Sequence, residues 1–234
     1  MQSEAVRSQT SGILKKLGWA VMLLLAVFIT LVVSRYLSLD PDVFFPEQRA
    51  VYLAHLTLLM LHIVGAMLAL MIGPFQFLPG ICKGRWLKVH RWLGRIYLLS
   101  VLFGGLGGLY MARLSYGGII THLGFGALAC LWLYTGYRAY RHIRMKEIEQ
   151  HRQWMIRNYA LTFAGVMLRV WIPLSGAMGV DFLPAYQAIS WLAWVPNLFF
   201  AQWMIQLSRP RPRRSTSVNG LDTAFRPEIA QTDL

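Results

Sequence analysis

Acidic residues are scarce: ten Asp and Glu stand against 23 Lys and Arg, and none of the ten falls inside a long apolar run. Cysteine is scarcer, with Cys82 and Cys130 the two present and no Cys-x-x-Cys spacing. Neither a disulfide framework nor a thiolate zinc site has support. Charged residues make up 14% of the chain against 56% hydrophobic. They cluster between apolar runs instead of dispersing along amphipathic elements, which excludes an ordinary soluble domain. Also missing are a nucleotide-binding glycine loop, a His-Glu-x-x-His and a serine-nucleophile motif, so hydrolase chemistry has no residues to carry it.

What is present is apolar sequence in long runs, near 17–37, 49–78, 92–112, 118–138, 156–176 and 183–207. A crossing needs roughly 20 mostly apolar residues, because a helix rises about 1.5 Å per residue and must satisfy every backbone polar group internally. The expected fold is therefore all-α, a transmembrane bundle of six spans over 17–207. A polar lead, 1–16, precedes it, and a basic, proline-rich tail, 208–234, follows and is expected to be disordered. The first run follows Lys15-Lys16, is too long for a signal h-region and has no small-x-small site after Val33, so it reads as an uncleaved anchor. Gly73-Pro74 is expected to kink or end the second span, and Pro173 and Pro196 to bend the fifth and sixth. Tyr36, Phe44, Phe45 and Tyr52 suit an interfacial aromatic belt.

The net charge of +13 invites a nucleic-acid reading, but the positions of the cations decide otherwise. Alternate connections carry nineteen of the 23 Lys and Arg, while the opposite connections keep Arg35, Arg49 and Arg113 beside Asp40, Asp42, Glu47 and Asp181. That is a positive-inside pattern with both termini cytoplasmic. The basic loops then meet anionic lipid, and no basic face is organised to follow phosphates.

Sliding the chain against itself reveals a weak repeat of about 60 residues. His62-Ile-Val-Gly-Ala-Met-Leu-Ala aligns with His122-Leu-Gly-Phe-Gly-Ala-Leu-Ala, and His90-Arg-Trp-Leu-Gly-Arg-Ile-Tyr with His151-Arg-Gln-Trp-Met-Ile-Arg-Asn-Tyr. Both copies run in the same direction, so spans two and three should relate to spans four and five by an axis along the membrane normal. His62 and His122 share one level, and His90 and His151 share another roughly 20 Å nearer the cytoplasm. Two imidazoles facing each other from different helices, small residues beside them and cations for propionates are what a b-type haem requires. The candidate ligands are His90 and His151 for an inner haem and His62 and His122 for an outer one. Arg91, Arg95, Arg152 and Arg157 stand near the inner pair, and Gly65, Gly104, Gly105, Gly107, Gly108, Gly118 and Gly126 leave room. The competing reading makes the inner histidines headgroup anchors and the glycines a helix-packing face. His55 is a substitute for His62, and His142, in a basic loop, is expected to be inert.

Arg169 lies inside the fifth span, where an unpaired guanidinium is costly, so it should face the bundle and find a partner. Asn197, a carbonyl freed by Pro173 or Pro196, water, a haem propionate and a quinone are candidates. Leu61-His-Ile-Val-Gly, Gly73-Pro-Phe-Gln-Phe, His90-Arg-Trp-Leu-Gly-Arg-Ile-Tyr, His151-Arg-Gln-Trp-Met-Ile-Arg-Asn-Tyr-Ala-Leu-Thr and Arg169 together resemble the domain-of-unknown-function 2306 family of predicted bacterial membrane proteins, over about residues 50–175. The resemblance implies a multi-pass protein of the bacterial cytoplasmic membrane and brings no activity with it. In layout alone, the four histidines are similar to those of transmembrane di-haem b-type cytochromes. The leading expectation is a b-type cytochrome moving electrons within or across the membrane. Its rivals are a cofactor-free transporter or lipid-binding protein with a polar pocket around Arg169, and a non-catalytic subunit or assembly factor.

Overall fold

The computed structural model describes residues 2–208, with side chains described from Gly12 onward except that of Lys15. The expected disordered tail lies outside the described residues. Those residues form helices α1 (Gln2–Ser34), α2 (Arg49–Ala54), α3 (Leu56–Gln76), α4 (Leu87–Ala112), α5 (Ile119–Arg144), α6 (Ile148–Thr162), α7 (Ala164–Ala177), α8 (Phe182–Leu192) and α9 (Val195–Leu207), and no strand. Six stretches are long and apolar enough to cross a membrane: Gly12–Ser38, Leu56–Gln76, Gly84–Ala112, Ile119–Arg144, Ile148–Ala177 and Phe182–Leu207. The chain is thus an all-helical, six-span membrane protein. The fifth and sixth spans are each built of two helices, α6–α7 and α8–α9.

Successive spans pack on one another: α3 lies against α4, α4 against α5 and α5 against α6. Helices α8 and α9 then return to α5 and α6, and α1 covers α3 and α7. The closest approach is between α3 and α4. A Cβ at Gly65 would stand 2.7 Å from the Gly104 Cα, and one at Gly107 would stand 2.7 Å from the Leu58 carbonyl oxygen. With no difference in polarity between lipid tails and leucine, such backbone contact is a principal source of helix association in a bilayer. The glycine face of α4 is therefore filled, by α3 at Gly65 and by Leu133 of α5 at Gly105. It does not leave the hollow that a macrocycle would need.

The prolines stand at different places relative to the helix ends. Helix α3 continues through Pro74 to Gln76. Pro74 has no N–H for the Leu70 carbonyl one turn back, and the Tyr159 hydroxyl of α6 donates to that oxygen instead at 3.2 Å. Tyr159 reaches it because position 73 is glycine: a Cβ there would overlap the tyrosine ring at 2.0 Å. The fifth span breaks at Phe163 and not at Pro173, through which α7 continues. The sixth breaks at Ala193–Trp194, immediately before Pro196 near the start of α9. Residues 49–54, expected within the second span, form the separate helix α2, and Phe44 is 1% exposed under Tyr36 and Tyr52 instead of facing headgroups.

Candidate functional site

The end of the bundle where α1, α4 and α7 finish and α3, α5 and α8 begin carries a half-open cavity of about 250 Å³. His62 and Arg169 both line it. His62 is six residues into α3 and Arg169 eight residues short of the end of α7, depths of about 9 and 12 Å, so the two reach nearly one level from two different helices. The rest of the wall is mainly apolar, including Ile63, Met67, Leu128 and Trp132, with tyrosines 36, 52 and 186 above.

His62 is held by α4. Its Nδ1 stands 2.8 Å from the Gly104 carbonyl oxygen, an acceptor, so Nδ1 carries the hydrogen and Nε2 is the free edge. Gly108 makes the space, since a Cβ there would lie 2.6 Å from Nδ1. No protein group bonds Nε2. Arg169 donates one bond, from Nη1 to the Gly165 carbonyl of its own helix at 2.9 Å. The Tyr36, Tyr52 and Tyr186 hydroxyls, and His62, lie within electrostatic reach of the guanidinium. None of the three ion pairs among the described residues includes it. Burial pushes the Tyr52 hydroxyl well above its ordinary range, so it remains an O–H donor. Asn197, proposed as a partner of Arg169, instead donates to the Ala160 and Ala193 carbonyls at 3.3 and 2.9 Å. The carbonyl that Pro173 frees is that of Arg169 itself.

A hydrogen-bonded cluster below the cavity ties α4, α5 and α6 together. The Tyr97 hydroxyl donates to Asn158 Oδ1 at 2.7 Å, Asn158 Nδ2 donates to the Trp132 carbonyl and to Thr135 Oγ1, each at 2.8 Å, and Trp132 Nε1 donates to Thr162 Oγ1 at 2.9 Å. Asn158 is 0% exposed. Sequence reasoning passed over these residues, although Asn158 and Thr162, four apart in an apolar span, share one helical face and were a readable signal.

The remaining histidines are distributed. His122 turns Nε2 to the Ser115 carbonyl at 2.9 Å and is not part of the cavity wall that carries His62. His55, at the α2–α3 break, faces the Tyr110 hydroxyl at 3.3 Å. His142, expected to be inert, pairs with Glu147 and stacks on Trp154 with rings 6.4 Å apart, because the short α5–α6 connection brings Glu147 and α6 back against the end of α5. His90 and His151 are brought within electrostatic reach of each other, about 20 to 25 Å along α4 from the level of His62. His151 Nδ1 stands 2.8 Å from the Ala139 carbonyl, and His90 Nδ1 is 3.9 Å from Cys82 Sγ. Partial burial raises the Cys82 thiol above its usual range.

Of the four arginines expected beside that pair, Arg91 stands next to His90. Arg152 is taken by Glu149 at 3.0 Å, Arg95 lies over the Trp92 ring at 5.0 Å, and Arg157 donates to Gln202 of α9 at 2.8 and 3.1 Å while lying 4.7 Å from the Trp154 centroid. The two histidine levels differ in how they suit a haem b. At the inner level His151 fits a ligand role, its Nδ1 engaged and Nε2 free, as metal-bound imidazoles are commonly held. At the outer level the filled glycine face and the turned His122 do not fit.

The comparisons agree with the residues that suggested a family. The chain belongs to the DUF2306 family of predicted membrane proteins, whose model matches residues 59–205. No curated protein and no solved structure matches it. The matched stretch contains His62, the Asn158 cluster and Arg169, and does not include the turn after α1, which supplies Tyr36, or α2, which supplies Tyr52.

Proposed function

We propose that this member of the DUF2306 family is a membrane-embedded binding protein, with transport as the use of binding, whose ligand is a small amphiphile held in the cavity at His62 and Arg169. One observation supports the reading: the Nε–Nη2 edge of the Arg169 guanidinium and the Nε2 edge of the His62 imidazole, neither bonded to a protein group, line one mainly apolar cavity. Polar groups at that depth are costly unless occupied, and they mark substrate sites when they face a cavity. The test is mass spectrometry of the intact protein released from native membranes, comparing wild type with Ala129→Phe, which places a ring in the cavity wall. A retained small molecule lost in the variant is expected. Wild-type protein that retains none and is not stabilised by any fraction of its own membrane lipids would overturn the reading.

A second reading rests on the inner histidines. The fixed Nδ1 of His151 and the proximity of His90 support a haem b held between them, with Arg91 beside a propionate. A haem there would supply one-electron chemistry. The protein's own part would be to hold the two imidazoles at one level on α4 and α6. Reduced-minus-oxidised absorbance of protein made in haem-replete cells tests it, and the absence of a Soret band would remove it.

A further inference from the structure

Resting on the reading of the cavity as a ligand site, we infer that its ligand is a lipophilic hydroxycarboxylate, its carboxylate on Arg169 and its hydroxyl on His62. The cavity holds one cation and no acid, and the wall facing it is aliphatic and aromatic. A monocarboxylate leaves the guanidinium site neutral. A phosphate would leave excess negative charge and a quinone would leave Arg169 uncompensated, both unfavourable where the dielectric is low. Because Gly165 takes a bond from Nη1 alone, the edge formed by Nε and Nη2 has no protein partner. That edge is the planar fork that grips a carboxylate through two parallel bonds. Tyr52, whose hydroxyl stays un-ionised, lines the same cavity as Arg169.

His62 sets the second contact. With Nδ1–H held by the Gly104 carbonyl, Nε2 of the neutral imidazole is an acceptor. An acceptor facing a cavity is matched by a ligand O–H, and a plain acyl chain would leave it unpaired. Ile63, Met67, Leu128 and Trp132 then receive the carbon chain.

The experiment measures equilibrium binding of radiolabelled dodecanoate and 3-hydroxydodecanoate to the full chain in nanodiscs. Methyl dodecanoate, dodecyl phosphate and decylquinone serve as competitors. The expected result is tight binding of both acids, with the hydroxy acid favoured about 3- to 10-fold, and weak competition by the other three. Arg169→Gln should lower acid affinity about 10- to 100-fold, and His62→Leu should abolish the hydroxyl's advantage while sparing dodecanoate. If His62→Leu does not fold, Ala66→Leu, which narrows the cavity from the next turn of α3, should weaken both acids together. Equal binding of the ester, or tighter binding of the quinone or phosphate, would overturn the carboxylate assignment and leave the cavity as a ligand site. Equal affinity of the two acids in wild type would overturn the role of His62. Binding of no probe, with Ala66→Leu and Ala129→Phe without effect on any measurement, would overturn the inference and the binding reading together.

Discussion

The Tyr159 hydroxyl donates to the Leu70 carbonyl, the oxygen that Pro74 leaves without its helical partner. A residue on one span thereby completes the backbone of another, in a medium where water is not present to do so. Tyr159→Phe keeps the ring against Gly73 and removes the donor. It should destabilise the protein by about 1–2 kcal/mol. Pro74→Ala restores an N–H to the helix, so Tyr159→Phe should cost distinctly less in the Pro74→Ala background. Unfolding in mixed micelles measures the four corners of this cycle, and additive effects would contradict the assignment.

Asn158 joins three helices from a fully buried position. Asn158→Leu removes three buried bonds and is expected to cost about 2–4 kcal/mol, more than Tyr97→Phe, which removes two, those to Asn158 and Thr162. The order of the two melting temperatures checks this, and a Tyr97→Phe protein less stable than Asn158→Leu would reverse the account.

The glycines divide into those used and those free. Gly65→Ala must push α3 from α4, since its Cβ meets backbone at 2.7 Å, whereas a Cβ at Gly126 meets nothing within 4 Å. Gly65→Ala should lower stability by several kcal/mol, and Gly126→Ala should be neutral or slightly stabilising, as alanine is the better helix former. Equal losses would mean that close packing is not what Gly65 supplies.

Orientation follows from the basic loops. Reporter fusions after Gln48 and Gly117 should lie outside, and fusions after Lys88, Lys146 and Ser215 inside. A cytoplasmic reporter at Gly117 would contradict the arrangement with both termini inside.

On the second reading, in which the inner histidines hold a haem, His90→Ala and His151→Ala should each remove one and the same absorbance component, and the double variant should add nothing, because one missing axial ligand already breaks the pair. Separate components would assign the two residues to different roles.

Six spans were legible in the sequence because an apolar run of about 20 residues in hydrocarbon has one low-energy answer, the helix. The cost of Arg169 was legible for the same reason, as it depends on depth alone. Its surroundings were not. The Tyr36, Tyr52 and Tyr186 hydroxyls come from three separate parts of the chain, and they meet at one cavity only when α1 and α8 pack on α7 and α2 on α3. Likewise the repeat placed His62 and His122 at one level, but level is a property of position along a helix and facing is a property of rotation about it. Tertiary packing set the rotation, aiming Nδ1 of His62 at Gly104 of the following span and Nε2 of His122 at Ser115 of the preceding loop. Hydropathy determines which segments enter the membrane. Close contact between backbones, and the requirement that each freed carbonyl find a donor, decide which faces meet.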